Sequence, residues 1–474
     1  MAIADGNDSD AHPLLNRILA GLLLCVMFGE LVHLALGSDV AGRIVEICVI
    51  GVVIASIPRF GLREGYLIAL SSALTLAVWW YADDPVAAVW SGLDQAAFLM
   101  AFILLVGLIQ QAGSTSEDVR ACGNYLTRQP AGRRYTAIFG GSHIMANLFN
   151  LGTISLLTPL IQRGSEGRRS DPLQPVREKR QLNAMIRGFA WCPVWSPTAV
   201  APVVLAQLLP EAERGPWIAV GLVITVIVFA LGWAEDRWAH RRYRAQIVAG
   251  APRAAPTFPR PEAARFGFVC LALLSLTLAA MVLFGQSVVF GLMMASPVIL
   301  VVWVYFQNGA DPAPTRARIA GITRDYLPGA APLAVTLACS GYIGRIAAVL
   351  IPVEDWAAFL GLEQVLGWLF LLALAVGVAL LSQFALSPIM MAVFFGTLIA
   401  EVPVLPADVT WVALAISCGW ALSMTISPFA TIILMVQGMT DHTGREITWF
   451  WNWRFTLFCI IALAAIFAVL TGGG

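Results

Sequence analysis

The chain has 474 residues, 59% of them hydrophobic and only 12% charged, against about 45–50% and about 25% in a soluble domain. Its 29 basic residues balance 29 acidic ones, so no bulk charge points to a polyanionic partner such as nucleic acid. Apolar blocks of about 20 residues recur from end to end, each able to cross a bilayer. Soluble enzymes, nucleic-acid binders and secreted disulfide scaffolds are excluded, and an all-α polytopic membrane protein is expected.

Residues 1–13 are polar and carry no Arg or Lys. They read as a cytoplasmic N-terminal tail, not a signal peptide, and the block 14–36 stays as the first transmembrane helix. Further spans are expected at 41–57, 65–82, 86–112, 187–208, 215–234, 266–285, 287–307, 327–351, 409–436 and 450–471. The linkers 113–134, 163–187, 235–265 and 308–326 carry four, seven, seven and three basic residues and are assigned to the cytoplasm by the positive-inside rule. Asp83-Asp84, the segment with Glu354, Asp355 and Glu363, and the turn at Glu401 face outward. One apolar stretch, 134–162, lies between two basic linkers, and another, 366–400, between two acidic turns. Each therefore reads as a re-entrant hairpin, one from either face. The result is about eleven spans plus two opposed hairpins, with the N-terminus inside and the C-terminus outside.

The two halves share a pattern. Gly188, Ala190, Ser196, Pro197 and Ala199 match Gly419, Ala421, Ser427, Pro428 and Ala430 at a constant offset of 231. Upstream the offset is 237, pairing Glu117 with Glu354 and Asn150 with Ser387. Odd numbers of elements per half make this an inverted repeat, 37–234 against 266–474, joined by the cytoplasmic linker 235–265; secondary transporters are built this way. The blocks 117–128 and 354–364 mix charge with apolar residues and suit helices lying along the membrane surface.

Chemistry is expected where the spans break. Pro197 and Pro428 cannot donate a backbone hydrogen bond and disfavour helix at the preceding serine. The spans 187–208 and 409–436 should be interrupted there, freeing backbone groups that protein, water or cargo must satisfy. The candidate binding residues are Ser196, Pro197 and Thr198 at the first break, and Ser427 and Pro428 at the second. Asn150, Gly152 and Thr153 join them from the first hairpin tip, and Ser387 and Pro388 from the second. Trp191 and Trp195 flank the first break and read as packing groups or as groups that gate or line a site. Glu30 and His33 read as facing an interface or headgroups, Asp94 as lying near a span end, and Arg345 as snorkelling from within about two turns of one. A single lysine, Lys179, lies in no Gly-rich turn, the five histidines form no HExxH pair, and the eight cysteines form no CxxC pair. An ATP-driven pump, a zincin and a metal knuckle are not indicated.

At these residues the sequence resembles the divalent anion:sodium symporter family of the broader ion transporter superfamily. The likeness rests on Asn150 through Pro159, on Ser382-Gln-Phe-Ala-Leu-Ser387-Pro388, and on Ser417-Cys418-Gly-Trp-Ala-Leu-Ser-Met-Thr-Ile-Ser427-Pro428. The family's Ser-Asn-Thr motifs are replaced here by Phe149-Asn150-Leu151 and Leu386-Ser387-Pro388. The resemblance implies a homodimer in the bacterial cytoplasmic (inner) membrane. It also implies an elevator-like transport domain of both hairpins and both broken spans, the other spans forming a scaffold. The expected function is secondary transport of a small anion coupled to sodium or protons, with sodium near Asn150 and Ser387 and no resident cofactor. A sodium/proton antiporter or oxyanion exporter is the alternative, although the tips and breaks offer no Asp or Glu; a membrane-embedded transferase lacks a His/Asp/Glu cluster.

Overall fold

A computed structural model describes residues 13–166, 173–243, 256–359, 361–384 and 386–472. The N-terminal tail before Pro13, the middles of the linkers 163–187 and 235–265, and residue 385 of the second hairpin lie outside the described residues. The chain is an all-α polytopic membrane protein. Among the described residues ten helical stretches are long and apolar enough to cross a membrane. Seven of them match expected spans closely, from Leu14–Leu36 to Trp453–Leu470; Pro312–Leu350 contains the expected 327–351 but starts within the expected linker 308–326, and Val409–Met439 contains a break. The stretch expected at 187–208 is not continuous, and the tenth, Gly367–Phe384, is the first arm of the second expected hairpin.

The chain divides into two compact units. The first comprises residues 1–112, 268–357 and 389–402. It holds α1 (Pro13–Leu36), α2 (Asp39–Ser56), α3 (Leu62–Tyr81) and most of α4 (Pro85–Ser114). Most of α11 (Arg260–Phe284), α12 (Val288–Gln307), α13 (Pro312–Gly321), α14 (Leu327–Leu350) and most of α15 (Val353–Phe359) follow. Small residues let α1 and α2 approach closely: a Cβ on Gly29 would sit 2.6 Å from Val45, and one on Gly42 2.9 Å from the His33 ring. The helix α3 is present but absent from the ten, because Arg63, Glu64, Ser71, Ser72 and Thr75 dilute its apolar run. Its polar groups find partners on α14, Thr75 Oγ1 lying 2.6 Å from the Tyr342 hydroxyl. Glu30, expected at an interface or among headgroups, is only 2% exposed.

The second unit comprises residues 113–267, 358–388 and 403–474. It begins with α5 (Glu117–Thr127), capped by the Ser116 hydroxyl accepting from Val119 N–H at 3.4 Å. Val119, Gly123 and Thr127 are buried at a spacing of four, one face of a helix, with the charges opposite. Then come α6 (Ala131–Phe149), α7 (Gly152–Glu166), α8 (Gln174–Ala190), α9 (Val200–Leu208) and α10 (Arg214–Ala239). The C-terminal part holds α16 (Gly367–Leu381), α18 (Val409–Ile426), α19 (Thr431–Met439) and α20 (Trp453–Leu470). The helix α17 (Pro388–Ala400) leaves this unit after Pro388. The helices α10 and α20, expected in a scaffold, cluster with the broken helices, α10 packing on α6, α8 and α18, and α20 on α16 and α18.

Candidate functional site

Both expected breaks are present, and from the serine onward they share their hydrogen bonds. Beyond α8 a short 3-10 turn, Cys192–Val194, leads to Ser196 and Pro197, and helix resumes at Val200. Beyond α18, Ser427 is extended (φ −89°, ψ 122°), as the following proline demands, and helix resumes at Thr431. Each serine turns its hydroxyl back on the chain: Ser196 Oγ accepts from Thr198 N–H at 3.3 Å, and Ser427 Oγ accepts from Phe429 N–H at 3.2 Å. Three residues after each serine, Ala199 N–H and Ala430 N–H bond to the carbonyls of Ser196 and Ser427, both at 3.2 Å. The resumed helices α9 and α19 are 9 residues each. From the serine onward these features keep the offset of 231, whereas the 3-10 turn before Ser196 has no counterpart, since α18 runs unbroken to Ile426.

Each break is tied to an element of its expected hairpin. Thr198 Oγ1 donates to the Asn147 carbonyl of α6 at 2.6 Å. Ser427 Oγ donates to the Ser382 carbonyl, at the end of α16, at 2.7 Å. Above these ties, Gly188 and Gly419 bring the helices flush: a Cβ on Gly188 would sit 2.3 Å from the Phe139 carbonyl oxygen, and one on Gly419 2.7 Å from that of Ala375. The helix α18 also packs on the Cys192–Val194 turn and on α9, so the two interrupted helices meet. The helix α19 packs on α7, bringing the second break's resumed helix to the first hairpin.

At the first tip, α6 ends at Asn150, whose φ of 43° and ψ of −125° lie where turns usually place glycine. The two-residue turn Asn150–Leu151 leads into α7 at Gly152. Among the described residues the Asn150 side chain makes no hydrogen bond, and Thr153 Oγ1 is fully buried without a partner. Buried polar atoms are almost always satisfied, and the Thr153 hydroxyl is an exception. Ser387 is 9% exposed and Pro388 opens α17. All ten expected site residues fall within the second unit. No hydrogen bond joins Asn150 to Ser387 among the described residues.

Several functional-looking groups escape the sequence reading. Arg187, counted above as a cytoplasmic linker charge, is 1% exposed. Its Nη1 lies 2.9 Å from Glu235, its Nε donates to Asn452 Oδ1 at 2.8 Å, and its guanidinium lies over Phe455. Arg180 holds Asp236 bidentately, the shortest contact 2.6 Å. The only hint in sequence is that these charges fall at the inner edges of apolar spans. His143 on α6 touches the first break: its Nδ1 lies 2.8 Å from the Gly188 carbonyl, and Trp195 Nε1 donates to its Nε2 at 2.9 Å. Nothing in the spacing of His143 and Trp195, 52 residues apart, announces that pair. Outside the spans, Glu178 at the start of α8 meets His442 at 3.4 Å and accepts from Gln162 at 2.6 Å. That bond chiefly raises the His442 pKa and lowers that of Glu178.

This architecture places the chain among polytopic helical membrane proteins with broken helices. The chain matches no protein-family model and no curated protein. It does share its fold with a solved structure, the YdaH transporter of Alcanivorax borkumensis, described as having an unusual topology. The two are 15% identical, the match covers 87% of this chain and 99% of that one, and the TM-score is 0.57.

Proposed function

We propose that the protein is a secondary carrier of a small solute, most simply an organic or inorganic anion, driven by a sodium or proton gradient. The observation that carries this reading is the pair of matching serine-proline breaks, each tied to a hairpin element by a side-chain hydroxyl. A helix interrupted inside the bilayer leaves N–H groups at the start of its second half, and those attract negative charge. Both α9 and α19 begin in this way. The fold neighbour's description as a transporter supports the same reading. Asn150, Thr153, Ser196, Thr198, Ser387 and Ser427 would line the cargo site, with sodium, where used, near Asn150 and Ser387.

An elevator movement is part of the proposal. What supports it is that all ten site residues cluster within one compact unit instead of being divided between two. The two-copy assembly and the inner-membrane location implied by the family resemblance are proposed with it. The test is solute flux into proteoliposomes of the purified protein, under sodium and pH gradients, for succinate, sulfate and other small anions. Gradient-driven uptake that is lost in both Asn150→Ala and Ser387→Ala is expected. Wild-type uptake in both variants would remove the tips from the site, and absence of flux for every solute would end the carrier reading.

A further inference from the structure

The breaks match in the two halves, but their surroundings do not. His143 and Trp195 have Leu380 and Ile426 at their repeat positions. The first half alone thus holds a titratable ring against its break. Both ring nitrogens are committed. A carbonyl oxygen only accepts, so Nδ1 must carry the hydrogen that goes to Gly188. An indole N–H only donates, so Nε2 must be the bare nitrogen. The geometry therefore fixes a neutral ring in one tautomer. A proton can add only to the Nε2 lone pair, and that lone pair is occupied by Trp195. Imidazolium has two N–H donors and no acceptor, so protonation and the Trp195 hydrogen bond are mutually exclusive.

Trp195 is also the residue from which Ser196 and Pro197 follow. Its main chain is braced from the other side, where Gly221 of α10 lies flush and a Cβ would sit 2.8 Å from the Trp195 Cβ. Trp217 Nε1 donates to the neighbouring Val194 carbonyl at 2.9 Å. The backbone is held from the α10 side, while the partly buried indole is held by its bond to His143. We propose that His143 is the proton-binding coupling residue of this carrier, and that its protonation releases the Trp195 indole at the first break. The proposal rests on the carrier reading and names its coupling ion.

The elements packed around the ring supply no competing charge partner among the described residues. Arg187 of α8 is bound to Glu235 of α10, Arg180 to Asp236, and Asp118 of α5 to Arg265. On α6 itself the Tyr135 hydroxyl faces Arg187 at 3.4 Å, and in the 3-10 turn Cys192 is a buried thiol. By reciprocity, whatever displaces Trp195 raises the proton affinity of His143 by the factor by which protonation favours that displacement. Cargo that displaces the indole is bound together with a proton. Its apparent affinity then falls by up to about tenfold per pH unit above the pKa of the free ring.

Two readouts separate this proposal from the carrier reading. The first needs no cargo: tryptophan fluorescence of the full chain in detergent, titrated from about pH 4 to 9, where histidine alone ordinarily titrates near the middle. Wild type is expected to show a step that both His143→Gln, which keeps an acceptor for the indole, and Trp195→Phe remove. The His442 ring lies 4.7 Å from Trp451 and contributes a step of its own, so no step in wild type, or a step of undiminished amplitude in both variants, overturns the proposal. The second is uptake of succinate and sulfate into proteoliposomes without sodium. An inward pH gradient should drive it in wild type and not in His143→Gln. Uptake driven by sodium and indifferent to the pH gradient overturns the proton assignment and leaves the carrier reading intact. A fluorescence step without any solute movement ends the carrier reading, and the coupling role with it.

Discussion

Asn150 carries two burdens that a single substitution can separate. Its backbone sits in a region that costs a non-glycine residue about 1–3 kcal/mol, while its side chain is free for cargo. Asn150→Gly is therefore expected to raise the thermal midpoint of the protein and to lower uptake; a variant that is more stable yet fully active would clear the side chain of any role. The His442–Glu178 pair makes a prediction in pH. Because His442 is raised by its bond to Glu178, its contribution to stability is complete below the ordinary value of 6.5 and fades as pH rises through the raised one. Glu178 is lowered, so its contribution is complete above 4.5 and fades as pH falls through the lowered value. Stability should thus decline on the alkaline side of about pH 6.5, and His442→Asn should flatten that slope in a thermal-melt series. Asn150 could be picked out by sequence because a polar residue midway along an apolar run has few other uses. Thr153 was picked out with it, but its orphaned hydroxyl was not legible, since an unmet hydrogen bond is a property of what surrounds the atom.

At the scale of helices, two glycines and one ion pair decide the packing. Gly188→Ala and Gly419→Ala would each press a methyl group against a backbone carbonyl, which cannot rotate away. Overpacking of this kind costs about 1–3 kcal/mol. Both variants should melt earlier by comparable amounts, and a neutral Gly419→Ala would show that α16 and α18 are not held as tightly as the 2.7 Å approach implies. Glu235→Ala leaves Arg187 buried with its charge uncompensated, a loss of about 3–5 kcal/mol. It should lower the melting temperature or the yield of folded protein far more than removal of the exposed Glu117 partner of Arg120. Serine-proline and glycine could be aligned across the halves because each residue type limits backbone freedom in its own way. Arg187 was misplaced because the positive-inside rule counts charges and cannot see a partner 48 residues away.

At the scale of the molecule, orientation and assembly are what sequence charge can address. The acidic turn at Asp83 is expected outside and the basic segment around Arg316 inside. In intact cells an impermeant thiol reagent should label Asp83→Cys, and should reach Arg316→Cys only after permeabilisation; the reverse pattern would invert the topology. A particle of two copies in detergent is expected for the proposed dimer. The expected scaffold included the spans at 215–234 and 450–471, whereas α10 and α20 belong to the unit that holds the breaks. Hydropathy gives both spans the same apolar reading as α1 or α12, and the distinction lies in which neighbours they pack against.

The all-helical membrane architecture, the positions of both breaks and the correspondence between halves were determined by sequence alone. Apolar run length, proline's missing N–H and its steric demand on the preceding residue act within a few residues and need no partner. Tertiary structure decided which of the remaining polar groups matter. The His143–Trp195 bond, the buried Arg187–Glu235 pair and the unmet Thr153 hydroxyl each depend on atoms brought together across tens of residues. A hydrogen bond or a desolvated charge exists only once the fold has chosen its neighbours.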